Sequence, residues 1–212
     1  MSQNRHTSTT YVLRKLATKC ANSHVIEDRS KILQARQVGV GVAGEAEAAI
    51  HATRRYISQL PSGHAFIKLD FANAINILRR SQLLVTMARN IQELYRFTLA
   101  TYECDQTLIY GTHTIPSRDG PQHGDPLSSL KFCESIQPIL NELDSDLEIG
   151  SIDDLFISSD LLTLAKDVES SKLRHPQDSS LTPLSVKLSW TISPTSTPFL
   201  SSATSFECLR TT

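Results

Sequence analysis

The run from Gly63 to Arg80, GHAFIKLDFANAINILRR, constrains the fold more than any other part of the chain. Its first half, HAFIKLD, is an apolar stretch of strand length that closes on a lone carboxylate, Asp70. Its second half takes helical spacing and ends on Arg79 and Arg80. A strand that hands an acid straight into a helix rules out an all-helical chain and aims that acid at something. Upstream, GVGVAGEAEAAIHATRRYISQL begins with glycines and continues as an alanine-rich helix, whereas residues 22–36 carry no readable pattern. From Asn73 to Tyr102, the apolar residues Leu78, Leu84, Met87, Ile91 and Tyr95 recur at helical intervals, with Ser81 as an N-cap between two helices. QTLIYGTHTIPSRDG reads as an exposed hairpin. Gly124, Asp125 and Pro126 open a helix with Leu130, Cys133, Ile136, Ile139 and Leu143 on one stripe and the proline in its first turn. LEIGSIDDLFISSD supplies two short strands flanking Asp153 and Asp154, and DLLTLAKDVES returns to helix. This order predicts an α+β fold built from hairpins, not from repeated crossover units.

A chain of 212 residues with 40% hydrophobic content can bury one sizeable core. No segment approaches the roughly 18 consecutive apolar residues of a membrane span, and the polar start MSQNRHTSTT lacks a secretory apolar stretch. The expected location is intracellular, cytoplasmic or nuclear, with no membrane partner. Cys20, Cys104, Cys133 and Cys208 are scattered without a CxxC pair and read as reduced thiols. The net charge of −1 hides an asymmetry: residues 1–100 carry +8 and residues 101–166 carry −9. A basic half suits a polyanion, and an acidic half without matching bases suits metal ions or solvent. Beyond about Ser171 the character changes, with twenty of residues 176–212 being Ser, Thr or Pro, and this tail is not expected to pack by itself.

Two motifs compete for the function. Gly39, Gly41 and Gly44 spell GxGxxG ahead of a helix, with Asp70 ending the next strand, the outline of a dinucleotide-binding oxidoreductase. The preceding QARQV is too polar for a buried parallel strand, and Glu45 and Glu47 would crowd a pyrophosphate, so this is the lesser alternative. The other motif is carboxylate geometry. Asp70 ends one strand and Asp153-Asp154 occupies a hairpin turn about eighty residues later. Acids presented from adjacent strand ends can hold two magnesium ions for in-line phosphoryl displacement. An Asp pair in a turn is common on its own, because Asp tolerates turn dihedrals. His24, His51, His64 and His113 fall at no ligand spacing.

KLDFANAINILRR resembles the first catalytic motif of non-LTR, LINE-like retrotransposon reverse transcriptases. SRDGPQHGDPLSSLKFCESIQPIL resembles the next motif, and SIDDLF is similar to the catalytic hairpin. GVGVAGEAEAAIHATRRY and LRKLATKCAN resemble fingers-side segments, so the similarity spans roughly residues 5–170. The resemblance implies an RNA-directed DNA polymerase, a nucleotidyltransferase, with a palm of antiparallel sheet and packed helices, partial fingers and no thumb. It divides the chain into partial fingers and the fingers-palm connection (1–62), a palm with the catalytic motifs (63–171), and a tail (172–212) that is disordered or out of frame. Asp70 and Asp153 would ligate two Mg²⁺ ions, with Mn²⁺ as a substitute, and Asp154 would support them as a third candidate metal-site acid. The Phe71 carbonyl would complete a metal shell, Gly124 would let the backbone approach template and nucleotide, and Arg5 would touch the triphosphate. The glycines would then lie in the fingers-palm connection. The implied partners are an RNA template, a DNA primer and deoxynucleoside triphosphates, with the oligomeric state left open.

The chain departs from the family pattern at several positions. Ile75 stands where an aromatic excludes ribonucleotides, His123 replaces a glutamine near the nucleotide, Ser151 replaces the aromatic of the hairpin, and Lys131 and Glu134 enter a generally apolar stretch. Together they suggest relaxed selection and a catalytically dead remnant with at most nucleic-acid binding as the alternative. The family's LNPSKCE segment is missing, yet codons permitted for Leu181–Trp190 read in a shifted frame can encode it, so a frameshift between about Asp167 and Ser180 and a truncated copy are expected.

Overall fold

The computed structural model describes residues 12–34, 36–71, 74–104, 106–122, 124–173 and 186–192. HAFIKLD forms the strand its pattern predicts, β1 (His64–Phe71). Alternation buries Ala65, Leu69 and Phe71 on one face and sets Lys68 and Asp70 on the other. Two helices precede it, α1 (Val12–Leu33) and α2 (Glu45–Ser58). Three follow: α3 (Ala74–Ile77), α4 (Arg80–Asn90) and α5 (Gln92–Tyr102). The threonine-rich segment is the expected hairpin, β2 (Gln106–Tyr110) and β3 (His113–Ser117), and it forms a two-stranded sheet of its own. Then come α6 (Ser128–Leu140), β4 (Leu147–Ser151), β5 (Asp154–Asp160), α7 (Leu161–Leu173) and β6 (Val186–Ile192).

The main sheet has the order β4-β5-β1-β6, and every neighbouring pair is antiparallel. β1 and β4 therefore run parallel with β5 inserted between them, a split β-α-β arrangement. Its inner face carries Leu69, Phe71, Leu155 and Ile157, which join Leu130, Phe132, Cys133 and Leu164 in one core. α7 packs on β1 and β5, while α1 and α4 pack on α6.

Three elements differ from the sequence reading. α1 covers much of the stretch without a readable pattern, because two of its four buried residues, Thr18 and Ser30, are polar and leave no apolar stripe. Thr18 Oγ1 donates to the Arg14 carbonyl (2.8 Å) and Ser30 Oγ to the Glu27 carbonyl (2.9 Å), so neither hydroxyl is stranded. Ser81 is not a cap: the expected break between helices falls at Leu78-Arg79, with Arg79 the N-cap of α4, and a second break falls at Ile91, which leaves helical dihedrals (φ −137°, ψ 68°) while buried. Within the tail, Val186–Ile192 forms β6 and pairs along β1. The strand edge that β1 would otherwise present supplies a partner that this β-branched, aromatic-containing segment lacks by itself. Residues 172 and 173 end α7, the rest of the tail lies outside the described residues, as does Cys208, and Cys20, Cys104 and Cys133 are free.

The two charged departures in α6 are fully buried, and each has a partner of opposite charge. Lys131 Nζ donates to Asp125 Oδ2 (3.0 Å). Glu134 accepts from Arg29 Nε (2.6 Å), Arg29 Nη2 (2.8 Å) and Asn90 Nδ2 (2.9 Å). Their partners offset the cost of taking these charges out of water.

Candidate active site

The pairing register of β1 with β5 sets Asp70 directly opposite Asp154 on the outer face of the sheet. β4 and β5 are joined by a two-residue turn, Ile152-Asp153, between the paired residues Ser151 and Asp154. The Phe71 N–H donates to the Asp153 carbonyl (3.0 Å), which pins the turn against the end of β1. Three carboxylates from two distant segments thus reach one end of one sheet. Asp70 is half-buried and Asp153 is exposed. Among the described residues, no ion pair reaches either carboxylate.

Asp154 is engaged differently. Its Oδ2 accepts from Lys68 Nζ (2.9 Å), two residues before Asp70 on the same face. The ammonium lies 5.4 Å from the centroid of the Phe156 ring, which stacks on Phe66 at 6.0 Å. Both partners keep over a third of their side-chain surface in solvent, so the pair orients Asp154 more than it stabilises the fold. Among the described residues, no group of three or more His, Cys, Asp or Glu side chains is arranged to hold a metal ion.

The turn itself is strained. Ile152 has φ +55°, the only positive φ outside glycine among the described residues, and a β-branched side chain there is an outlier costing about 1–3 kcal/mol. Gln37, with no solvent exposure, holds it in place. Gln37 Oε1 accepts from the Ile152 N–H (3.0 Å) and the Gly39 N–H (3.3 Å), and Nε2 donates to the Ile152 carbonyl (3.4 Å). Alongside, the Gly150 N–H donates to the Arg36 carbonyl (2.7 Å) and the Val38 N–H to the Gly150 carbonyl (2.8 Å). A Cβ on Gly39 would sit 2.5 Å from the Ile152 nitrogen.

The first glycine of GxGxxG therefore packs under the acid-bearing turn, and Gly41, at φ +70°, packs against Ser30 and Ile26 of α1. The dinucleotide-binding outline is not formed. Among the described residues no strand precedes the glycines, Gln37 makes only an isolated bridge with Gly150, and the sheet is antiparallel. A connection between elements needs close backbone approach, and the glycines supply it.

The remaining candidates are placed as follows. Phe71 is buried, and Ile75 lies in α3, partly packed on the core. The loop after β3 is pressed onto α3, since the Gly120 N–H donates to the Leu78 carbonyl (2.9 Å) and Gly120 abuts Ile75 and Asn76. Arg80 is buried and donates to the carbonyls of Ser117 (2.5 Å) and Gly120 (3.2 Å), fixing the same loop. Gly124 is exposed at φ +78°, with the Lys15 chain beside it. Below it, Asp125 accepts from the Tyr102 hydroxyl (2.9 Å), Lys131 and the Leu127 N–H (3.0 Å). Three cations, Lys131, Arg80 and Arg14, lie 4.8, 5.2 and 5.5 Å from the Tyr102 centroid. Burial, then the charge of Asp125, holds the Tyr102 hydroxyl protonated far above its usual range. Burial lowers the Lys131 pKa against the opposing pull of Asp125. Arg5 and His123 lie outside the described residues.

Sequence reasoning missed Gln37, Lys68 and Lys15. Lys68 had a signal, two residues before the acid on one strand face. Gln37 had none, since its burial depends on a hairpin over a hundred residues away.

No helix among the described residues is long and apolar enough to cross a membrane. No protein-family model matches the chain, and none of the curated proteins matches it. Among solved structures, it is similar to apo telomerase from Candida tropicalis, with a TM-score of 0.51 and 11% identity, covering 73% of this chain and 33% of that one. It is also similar to apo telomerase from Candida tropicalis truncated from the C-terminal domain, with a TM-score of 0.43 and 13% identity over 84% of this chain and 45% of that one. The chain thus spans about a third of the first telomerase chain it matches, and at this identity the likeness concerns the fold alone. The architecture is α+β, and it resembles the reverse-transcriptase-like fold of telomerase.

Proposed function

We propose that the chain is a reverse transcriptase domain of the non-LTR retrotransposon kind, extending a DNA primer on an RNA template with deoxynucleoside triphosphates. The observation that carries this reading is the register of β1 with β5, which brings Asp70 opposite Asp154 with Asp153 in the adjoining turn. The telomerase-like fold and the order of the three motifs support it.

Mg²⁺ commonly binds through one or two carboxylates plus substrate phosphates, so the oxygen donors of Asp70 and Asp153 suit it without a third ligand. When bound, the ions would activate the primer hydroxyl and stabilise the leaving pyrophosphate. Asp70 and Asp153 would hold those ions, and the Phe71–Asp153 hydrogen bond ties the turn that carries Asp153 to the end of β1. Lys68 neutralises Asp154 and keeps it beside the pair. Gly124, exposed and beside the Lys15 side chain, would let the backbone approach the template and incoming nucleotide.

Primer extension on an RNA template with Mg²⁺ and all four deoxynucleotides tests the reading. Extension by the parent chain and its loss in Asp70→Asn are expected, and folded protein without extension would sink it. A second reading, a nucleic-acid-binding remnant, is favoured by the Lys68–Asp154 ion pair, which occupies one of the three acids. That reading requires RNA–DNA duplex binding that persists in Asp70→Asn with no extension by either protein.

A further inference from the structure

The hairpin turn that carries Asp153 adopts a conformation its own residues disfavour. Ile152 stands at φ +55° in the first position of a two-residue turn, where glycine is favoured. A β-branched residue stays there only if its surroundings over-determine the backbone. Gln37 is the side chain that does so. It is completely buried, it comes from the loop ahead of α2, and its amide engages both the N–H and the carbonyl of Ile152. The same Oε1 accepts from the Gly39 N–H, which orients the amide. Gly39 lies so close to the Ile152 nitrogen that no side chain fits between loop and turn. One residue on, the Asp153 carbonyl accepts from Phe71, the residue after Asp70.

We infer that Gln37 is a positioning residue for the site: its side-chain amide holds Ile152 left-handed and so fixes Asp153 against Asp70. The geometric part stands on the hydrogen bonds alone, and its catalytic meaning rests on the polymerase reading. The loop ahead of α2 then governs the site without touching substrate. Relaxation of Ile152 to negative φ would swing Asp153 away from β1 and break the Phe71–Asp153 hydrogen bond.

The Phe71 amide is the reporter, because Gln37 does not contact it, and the Lys131 amide, bonded to the Leu127 carbonyl in α6 (2.9 Å), is the internal control. Hydrogen exchange at both amides is measured by NMR in the full chain for four proteins: the parent, Gln37→Met, Ile152→Gly, and the double variant. In Gln37→Met, Phe71 exchange is expected to accelerate roughly tenfold or more relative to Lys131, the range set by backbone strain of this kind. Ile152→Gly should restore it in the double variant to within about threefold of the parent, since glycine holds the left-handed turn unaided. A residue that merely supported the fold would not be rescued by a glycine in another segment. Unchanged Phe71 exchange in Gln37→Met, or acceleration that Ile152→Gly does not reverse, overturns the inference. If Gln37→Met does not fold, Gln37→Asn, whose shorter amide cannot reach Ile152, is judged by the same criterion.

Primer extension on the same proteins separates this inference from the functional reading. Rescue of exchange with no extension by the parent leaves the inference standing and removes the polymerase. Extension by the parent with exchange indifferent to Gln37 does the reverse. Where both hold, Gln37→Met should lower kcat with little change in KM for the primer-template, and Ile152→Gly should restore kcat.

Discussion

Replacing Arg29 by Met should destabilise the chain far more than removing the acid it pairs with. Glu134 is buried, and three N–H donors reach its carboxylate, two of them from Arg29. Arg29→Met removes the countercharge and two of the three donors, leaving a buried carboxylate with Asn90 alone. Breaking a buried pair from one side costs about 3–5 kcal/mol. Glu134→Leu is milder, because the Arg29 side chain is 15% exposed against 1% for Glu134 and can turn its guanidinium to water. A cost of about 1–2 kcal/mol is expected there. With both replaced, neither charge of this pair is left buried without its partner, and Asn90, itself exposed, finds solvent. The double variant should lie within about 1 kcal/mol of the parent or exceed it, since apolar replacement of whole buried pairs is often neutral or better. Urea denaturation of the four proteins, extrapolated to water, completes the cycle. Equal costs for the two single variants, with the double equal to their sum within about 0.5 kcal/mol, would refute the reasoning. The cycle also bears on history: a coupling of several kcal/mol means that Glu134 is integrated into this core.

Lys68→Met frees Asp154 Oδ2 from its ammonium and leaves the acidic end one charge more negative, so Mn²⁺ should bind several-fold tighter by electron paramagnetic resonance titration. Unaltered affinity would exclude Asp154 from the cation site. Gly120→Ala places a Cβ 2.7–2.8 Å from backbone atoms of Ile75 and Asn76 at φ +66°, and the strained backbone alone costs about 1–3 kcal/mol. A clear fall in Tm is expected, and a variant as stable as the parent would contradict the contact.

The sequence makes legible those parts of the fold whose signals are local. HAFIKLD alternates, so β1 is readable, and SIDDLF between two short apolar runs gives the acid-bearing hairpin its place. The three acids stand out in the sequence, but the register that sets Asp70 opposite Asp154 beside the Asp153 turn is a tertiary fact no local pattern carries. α1 was hidden because Thr18 and Ser30 are buried with their hydroxyls satisfied by its own carbonyls. The Ser81 cap was misplaced because Arg79 and Ile91 break the helices for tertiary reasons: Arg80 reaches the carbonyls of the loop after β3, and Ile91 turns into the core. The polarity of QARQV correctly argued against a parallel central strand. It could not reveal that Gln37 is polar because a strained turn needs its amide.

β6 has a consequence for the order of events during synthesis. The strand that carries Asp70 is complete at Phe71, yet its second neighbour is complete only at Ile192, more than a hundred residues later. At about 5–20 residues per second, roughly 5 to 25 seconds separate them on the ribosome. Throughout that interval one edge of β1 lacks its native partner, with HAFIKLDF able to pair with any extended segment nearby. Arrival of VKLSWTI closes the β1 edge and moves the exposed edge of the sheet outward to β6.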